Sequence, residues 1–158
     1  MSRFSLTSSS PLDTERLGKR LGALLEPGAM LALRGELGGG KTCFTRGVVE
    51  GAAPASANMV ASPTFAIMNE YPGLPPVYHF DFYRLTSEDE IAELGFEDYF
   101  HGNGICIVEW PERLGQLLPA DHLSVTFENA AANQRTITLE SFGFSSEAVL
   151  KQLEDMEA

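Results

Sequence analysis

Apolar positions along this chain fall into two patterns, short continuous runs and helical stripes, and their succession predicts an α/β fold. Arg3 to Leu6 reads as a short edge strand. Ser10-Pro11-Leu12-Asp13 opens a helix, with Ser at the N-cap, Pro at the first helical position and an acid two residues later. Leu17, Leu21, Leu24 and Leu25 line one face of it, and Pro27-Gly28 ends it. Met30-Leu31-Ala32-Leu33 is the uninterrupted apolar run of a strand buried on both sides. Phe44, Val48 and Val49 then resume helical spacing, with Gly51 as the expected C-cap and 51–57 as a mobile loop.

The second half of the chain continues the pattern. A strand is expected from Phe65 to Glu70, a turn at Pro72 to Pro76, and a second strand from Val77 to Tyr83, which predicts an antiparallel pair beside an otherwise parallel sheet. In that second strand a period of two places Tyr78, Phe80 and Phe82 on one face and His79, Asp81 and Tyr83 on the other. Ser87-Glu88-Asp89-Glu90 is a capping box for a helix through Leu94, ended by Gly95, and 98–101 extends as a short helix. Ile105 to Val108 is a second buried strand, terminated by Glu109, and Pro111 to Leu118 reads as a short helix. Strands 123–128 and 135–140 form a hairpin, and Ser145 starts a last helix with Val149, Leu153 and Met156 on one face. No repeat or linker divides the chain, so 1–158 is expected to be a single domain.

Composition narrows the classes of function. The 158 residues are 44% hydrophobic, which suits a globular core. Lys and Arg number 11 against 22 Asp and Glu, a formal charge of −11, which argues against a broad nucleic-acid-binding or membrane-binding face. The charge leaves room for a subunit whose partners hold the nucleic acid. Cys43 and Cys106 lack the spacing of metal ligands and read as packed free thiols. No signal peptide opens the chain and no apolar run is long enough for a transmembrane helix, so the cytoplasm is the expected location.

One stretch carries specific chemistry. Gly35-Glu36-Leu37-Gly38-Gly39-Gly40-Lys41-Thr42 fits the P-loop pattern, and it lies between the buried strand and the helix that the pattern requires. A polyphosphate is a dense negative charge, and glycines let main-chain N–H groups close around it while the following helix adds the positive end of its dipole. Lys41 is then the expected partner of the terminal phosphates and the Thr42 hydroxyl a ligand of Mg²⁺. Glu36, Leu37, Gly38, Gly39, Gly40, Lys41, Thr42 and Cys43 form the candidate nucleotide cradle. Cys43, in the first turn of the helix, reads as inert packing or as a thiol made reactive by the dipole.

An acid at the end of a buried strand downstream of a P-loop is the second half of such a site, because ligands in open α/β sheets meet the carboxyl ends of the strands. Glu109 is therefore a candidate metal ligand or water-polarising group. Asp81 is either a magnesium-shell or water-positioning residue or one partner of a salt bridge, with Arg84 in reach by sequence. His79 reads as a hydrogen-bonded structural residue rather than a base. Thr64, in Ser62-Pro63-Thr64-Phe65, is either a switch contact to the γ-phosphate or part of a turn entering the next strand. Trp110 is core filler or a lid or partner surface, Arg135 a salt-bridge partner or a nucleotide contact, and 11–14 a packing segment or a cover for the base.

GELGGGKT with FTRG, SPTF followed by NEY, HFDFYRL, and IVEWPE together resemble the TsaE (YjeE) family, small bacterial P-loop ATPases of tRNA threonylcarbamoyladenosine biosynthesis. The resemblance spans nearly the whole chain. It implies a P-loop NTPase-like three-layer sandwich with a mostly parallel central sheet and added antiparallel strands, ATP and Mg²⁺ as cofactors, and the TsaB and TsaD proteins as partners, with tRNA an indirect substrate. By position it implies phosphate binding by Gly38 to Thr42, magnesium ligation by Thr42 and Glu109, and Lys41, Asp81, Glu109 and Thr64 in the hydrolytic site. Cys43 and Ala66 stand where the family commonly has Thr, and Phe82 where it has Leu; none of these removes a reactive group. The absence of an obvious arginine finger leads to an expectation of weak hydrolysis alone and stimulation by the partners. Two other readings remain: a P-loop small-molecule kinase, which lacks here the Arg-rich lid such enzymes use, and a nucleotide-gated binding module that does not hydrolyse. A GTPase is disfavoured, since no guanine-recognition motif is present.

Overall fold

A computed structural model describes residues 2–35, 40–60 and 67–157. Seven strands form one sheet: β1 (Arg3–Ser8), β2 (Met30–Gly35), β3 (Met68–Tyr71), β4 (Val77–Asp81), β5 (Ile105–Glu109), β6 (His122–Ala131) and β7 (Gln134–Phe142). Their spatial order is β1-β7-β6-β2-β5-β4-β3. Four central strands, β4, β5, β2 and β6, run parallel, and β3 and β7 add to them antiparallel. The expected α/β architecture is thus present. β2 and β5 lie deepest, which is why both read as unbroken apolar runs.

One face of the sheet carries α1 (Pro11–Leu24), α2 (Lys41–Ala52) and α5 (Phe144–Glu157); their Leu17, Phe44, Val48 and Leu150 close over Leu31, Leu33, Ile107 and Val125. The other carries α3 (Glu88–Glu93) and α4 (Glu97–Phe100), whose Ile91 and Phe100 pack with Phe80, Cys106 and Val108. Strand alternation decides which face each residue serves, and it sends His79, Asp81 and Glu109 to the α2 side.

Local chemistry explains where elements begin and end. Ser10 caps α1 by accepting from Asp13 N at 3.1 Å, and Asp13 accepts from Ser9 N in return. β4 stops two residues earlier than its pattern predicts. The Asp81 carboxylate accepts from Tyr83 N at 3.0 Å, and this turn diverts the chain before the apolar alternation has run out. Segment 54–59, expected as a loop, winds into a 3₁₀ helix, with Ser56 Oγ donating to Pro72 O at 2.7 Å. Pro111–Leu117 is 3₁₀ and kinked at Gly115 rather than regular helix. In α5, Leu150 and Leu153 are buried whereas Met156 is 53% exposed, so the buried stripe is displaced from the one expected.

Gly51 is not a C-cap. It lies inside α2, where a Cβ would stand 2.2 Å from Lys19 O, and Gly47 is equally tight against Glu15 O at 2.0 Å. Gly18 and Gly22 of α1 return the contact, 2.3 Å from Phe44 O and 2.3 Å from Val48 O. The two helices therefore approach backbone to backbone, closer than any side chain allows. That contact fixes the start of α2, and with it the site.

Candidate functional site

The carboxyl ends of β2, β5 and β4 meet the first turn of α2. Gly40, at the N-cap of α2, has φ 96°, a left-handed conformation natural to glycine, and no side chain caps the helix. Its leading N–H groups are left for an anion. Lys41 follows and is nearly buried, at 6% exposure. Its Nζ donates to Gly35 O at 3.0 Å and lies 3.8 Å from Glu109 Oε1.

Glu109, 9% exposed, is the centre of the arrangement. Its Oε2 accepts from His79 Nε2 at 2.7 Å, and its strand register places it directly beside Asp81. Burial pushes the Glu109 carboxyl up, but the hydrogen bond and charge of His79 and the charge of Lys41 outweigh it, so the group lies below the ordinary glutamate range. Asp81 goes the other way. Burial raises it, the Tyr83 N–H draws it back, and the neighbouring Glu109 charge raises it again, leaving its carboxyl above the usual aspartate value. Two adjacent carboxylates with opposite shifts are the pattern of a site that divides ligand and proton-handling roles.

Trp110 adopts a left-handed backbone, φ 61° and ψ 51°, a costly conformation for a large side chain. Its ring lies 5.8 Å from Lys41 Nζ, 5.6 Å from the Arg113 guanidinium and 5.1 Å from the Tyr83 ring. It is half-buried, packed against the core cluster of Phe80, Phe82 and Leu114 on one side and near the lysine on the other. On the opposite flank Arg135 and Thr14 close on the cradle: a Cβ at Gly40 would lie 3.7 Å from Arg135 Nε and 3.6 Å from Thr14 Cγ2. Arg135 also donates to Asn129 Oδ1 at 2.9 Å, so its fork is partly committed to the hairpin.

Of the residues singled out by sequence, Gly40, Lys41, Thr42, Asp81, Glu109 and Arg135 gather at this end of the sheet, with Cys43 in the same helical turn. Glu36, Leu37, Gly38, Gly39 and Thr64 lie outside the described residues. The sequence reading did not find the His79–Glu109 bond, although alternation had already put His79 on the face of Asp81. Nor did it find the Gly35 carbonyl or the Arg113 contact, which no local pattern announces. The donors of Thr42, Asp81 and Glu109 are hard oxygens, the kind magnesium takes. Among the described residues no three His, Cys, Asp or Glu side chains converge as a complete metal cage. This fits an ion that needs only one or two protein ligands beside phosphate oxygens.

A mostly parallel sheet, a glycine-led helix start with a buried lysine, and an acid closing the neighbouring strand define a P-loop α/β protein. The family model described as "Threonylcarbamoyl adenosine biosynthesis protein TsaE" matches residues 8–137. A tRNA threonylcarbamoyladenosine biosynthesis protein TsaE of Bacillus subtilis is 38% identical over 154 residues, covering 97% of this chain and 95% of that protein. The TsaE of Treponema pallidum is 36% identical over 132 residues, 84% of this chain and 96% of that one. The crystal structure of Bacillus subtilis YdiB superposes with a TM-score of 0.82 at 32% identity, covering 99% of this chain and 97% of that one. The chain belongs to the TsaE family, whose members are named for threonylcarbamoyladenosine biosynthesis on tRNA. No helix among the described residues is long and apolar enough to cross a membrane.

Proposed function

We propose that the chain binds ATP with Mg²⁺ at the head of α2 and hydrolyses it, as the nucleotide-driven subunit of a tRNA threonylcarbamoyladenosine-forming assembly with the TsaB and TsaD proteins. The observation that carries this reading is the convergence of Lys41, Glu109 and Asp81 at the uncapped start of α2. The backbone of Gly40 and the first N–H groups of α2 hold phosphate oxygens, and Lys41 leaves its carbonyl and carboxylate partners to neutralise the terminal phosphates. Thr42 and Glu109 hold the metal, which when bound supplies charge neutralisation between the phosphates. Asp81, with its raised proton affinity, orients the attacking water at its carboxylate. Arg135 and Thr14 bound the nucleotide on the hairpin side. The formal charge of −11 fits a subunit whose partners, rather than itself, carry the tRNA.

The reaction is ATP and water to ADP and phosphate. The test is phosphate release by the full chain, alone and with TsaB and TsaD. Turnover should be weak alone and rise in the assembly, and Lys41→Ala should abolish it together with most nucleotide affinity. Nucleotide uptake without phosphate release in the assembly would make the chain a nucleotide-gated binding module instead. Unchanged turnover in Lys41→Ala would remove the site assignment altogether.

A further inference from the structure

His79 is a buried polar side chain on the sheet that the proposed chemistry has not used. It is 1% exposed, in the middle of β4, held by ladder partners on both sides, Asn69 of β3 and Ile107 of β5. Its neighbours on that face are mixed: Val77 and Ile107 are apolar and fully buried, whereas Asn69 and Asp81 are polar. The imidazole brings a cost, because its Nδ1 is buried with no hydrogen-bond partner among the described residues. A buried polar group kept at such a cost calls for a function.

Its other nitrogen shows which. Nε2 lies 2.7 Å from Glu109 Oε2. A carboxylate can only accept, so the nitrogen that bonds Glu109 at this distance, Nε2, carries the hydrogen. The two oxygens of Glu109 are thereby separated. Oε2 is fixed from within the sheet by a rigid strand, and Oε1 alone points toward Lys41, at a loose 3.8 Å.

We infer that His79 is a positioning residue: by donating Nε2–H to Oε2 it sets the carboxylate plane of Glu109 and leaves Oε1 as the single oxygen offered to magnesium. This rests on the reading of Glu109 as a magnesium ligand and extends it by one shell. Outer partners of this kind orient ligands, and their loss costs about 10–100-fold in metal affinity. Without His79, Glu109 would swing between its rotamers or turn to Lys41, closing the site on itself.

The test uses the full chain, with two substitutions and two readouts. His79→Leu keeps volume and removes the donor; His79→Gln restores an N–H near the position of Nε2. Magnesium is titrated into the ADP-bound protein by calorimetry, and ADP affinity is measured separately in EDTA. His79→Leu should weaken magnesium uptake by about tenfold or more, with ADP affinity in EDTA unchanged, and His79→Gln should recover most of the loss. A merely structural histidine would lower both affinities together or neither. Nitrogen-15 NMR of the free wild-type chain supplies the second readout, and should show His79 protonated at Nε2. A bare Nε2, magnesium affinity in His79→Leu equal to wild type, or no recovery in His79→Gln would each overturn the inference. The NMR result decides if His79→Leu does not fold. Should wild type bind magnesium with ADP yet release no phosphate from ATP, the hydrolysis reading fails while the His79 assignment is still judged on magnesium affinity. No magnesium uptake by wild type would overturn both.

Discussion

Two acidic side chains at opposite ends of the parallel strands are both held ionised more readily than ordinary carboxyls, by different means. Asp121, at the entry to β6, is half-buried and caps α5. Its Oδ2 accepts from Ser145 N at 2.8 Å, and its Oδ1 from Ser146 N at 3.0 Å and Ser146 Oγ at 2.7 Å. Burial, the largest single influence, raises it, and the Ser146 and Ser145 hydrogen bonds together lower it by more. Glu109, at the exit of β5, is buried and has one short bond and one loose cation. Both oxygens of Asp121 are engaged at good distance by the start of its helix, which is a stabilising role. Glu109 keeps Oε1 only weakly engaged, in a place where leaving a carboxylate under-bonded is costly. Spare bonding capacity at a buried charge distinguishes a site from a cap.

The largest effect should come from removing the charge at the strand exit. Glu109→Gln keeps the shape and the His79 donor but loses the negative charge proposed to hold the metal. ATP turnover in the assembly should fall by about 10²–10³-fold, the scale of losing one preorganised electrostatic group, while thermal melting still reports a folded chain. Turnover within a few-fold of wild type would erase the contrast between the two acids.

Asp121→Ala is the complementary break. Losing a side-chain cap costs about 1 kcal/mol of stability, and ATP turnover should not change. The pH dependence has a definite sign. The folded-state carboxyl lies below its unfolded value, so its contribution is present above the unfolded pKa and is lost as pH falls through the folded one. Acid titrations of wild type and Asp121→Ala should therefore diverge at neutral pH and converge in strong acid. Parallel curves would show that the cap contributes nothing through its charge.

The same contrast explains what the sequence revealed and what it hid. The meeting of Gly40, Lys41, Asp81 and Glu109 at one end of the sheet was legible because each is tied to a local pattern: glycine spacing, a buried run, an acid at its end. The antiparallel β3–β4 pair and the β6–β7 hairpin were legible from alternation and turn residues. What escaped depends on partners distant in sequence. Asp121 caps a helix 24 residues further on. Gly51 looks like a helix terminator until α1 is seen against it. The early stop of β4 follows from Asp81 competing for a backbone N–H, which apolar alternation cannot register. The left-handed backbone of Trp110 has no signature in the residues beside it.

The smallest expected effect is on stability, and it is of opposite sign to that at Asp121. Asp81 is raised, first by burial and then by the Glu109 charge against it. The folded chain therefore binds the Asp81 proton more tightly than the unfolded chain, and stability from this group is lost as pH rises through the window between the two values. At neutral pH the ionised side chain works against the fold that holds it. Asp81→Asn keeps an oxygen to accept from Tyr83 N and removes the charge beside Glu109, so it should melt at a higher temperature than wild type at pH 7, with the gap closing below the ordinary aspartate range. Its ATP turnover should fall if Asp81 has the proposed water-orienting role, because the amide no longer attracts a proton. A variant more stable and less active is the expected mark of strain kept for chemistry. If Asp81→Asn melts lower than wild type at pH 7, Asp81 belongs with Asp121 as a structural acid, and the division of labour between the two carboxyls at the strand exit does not hold.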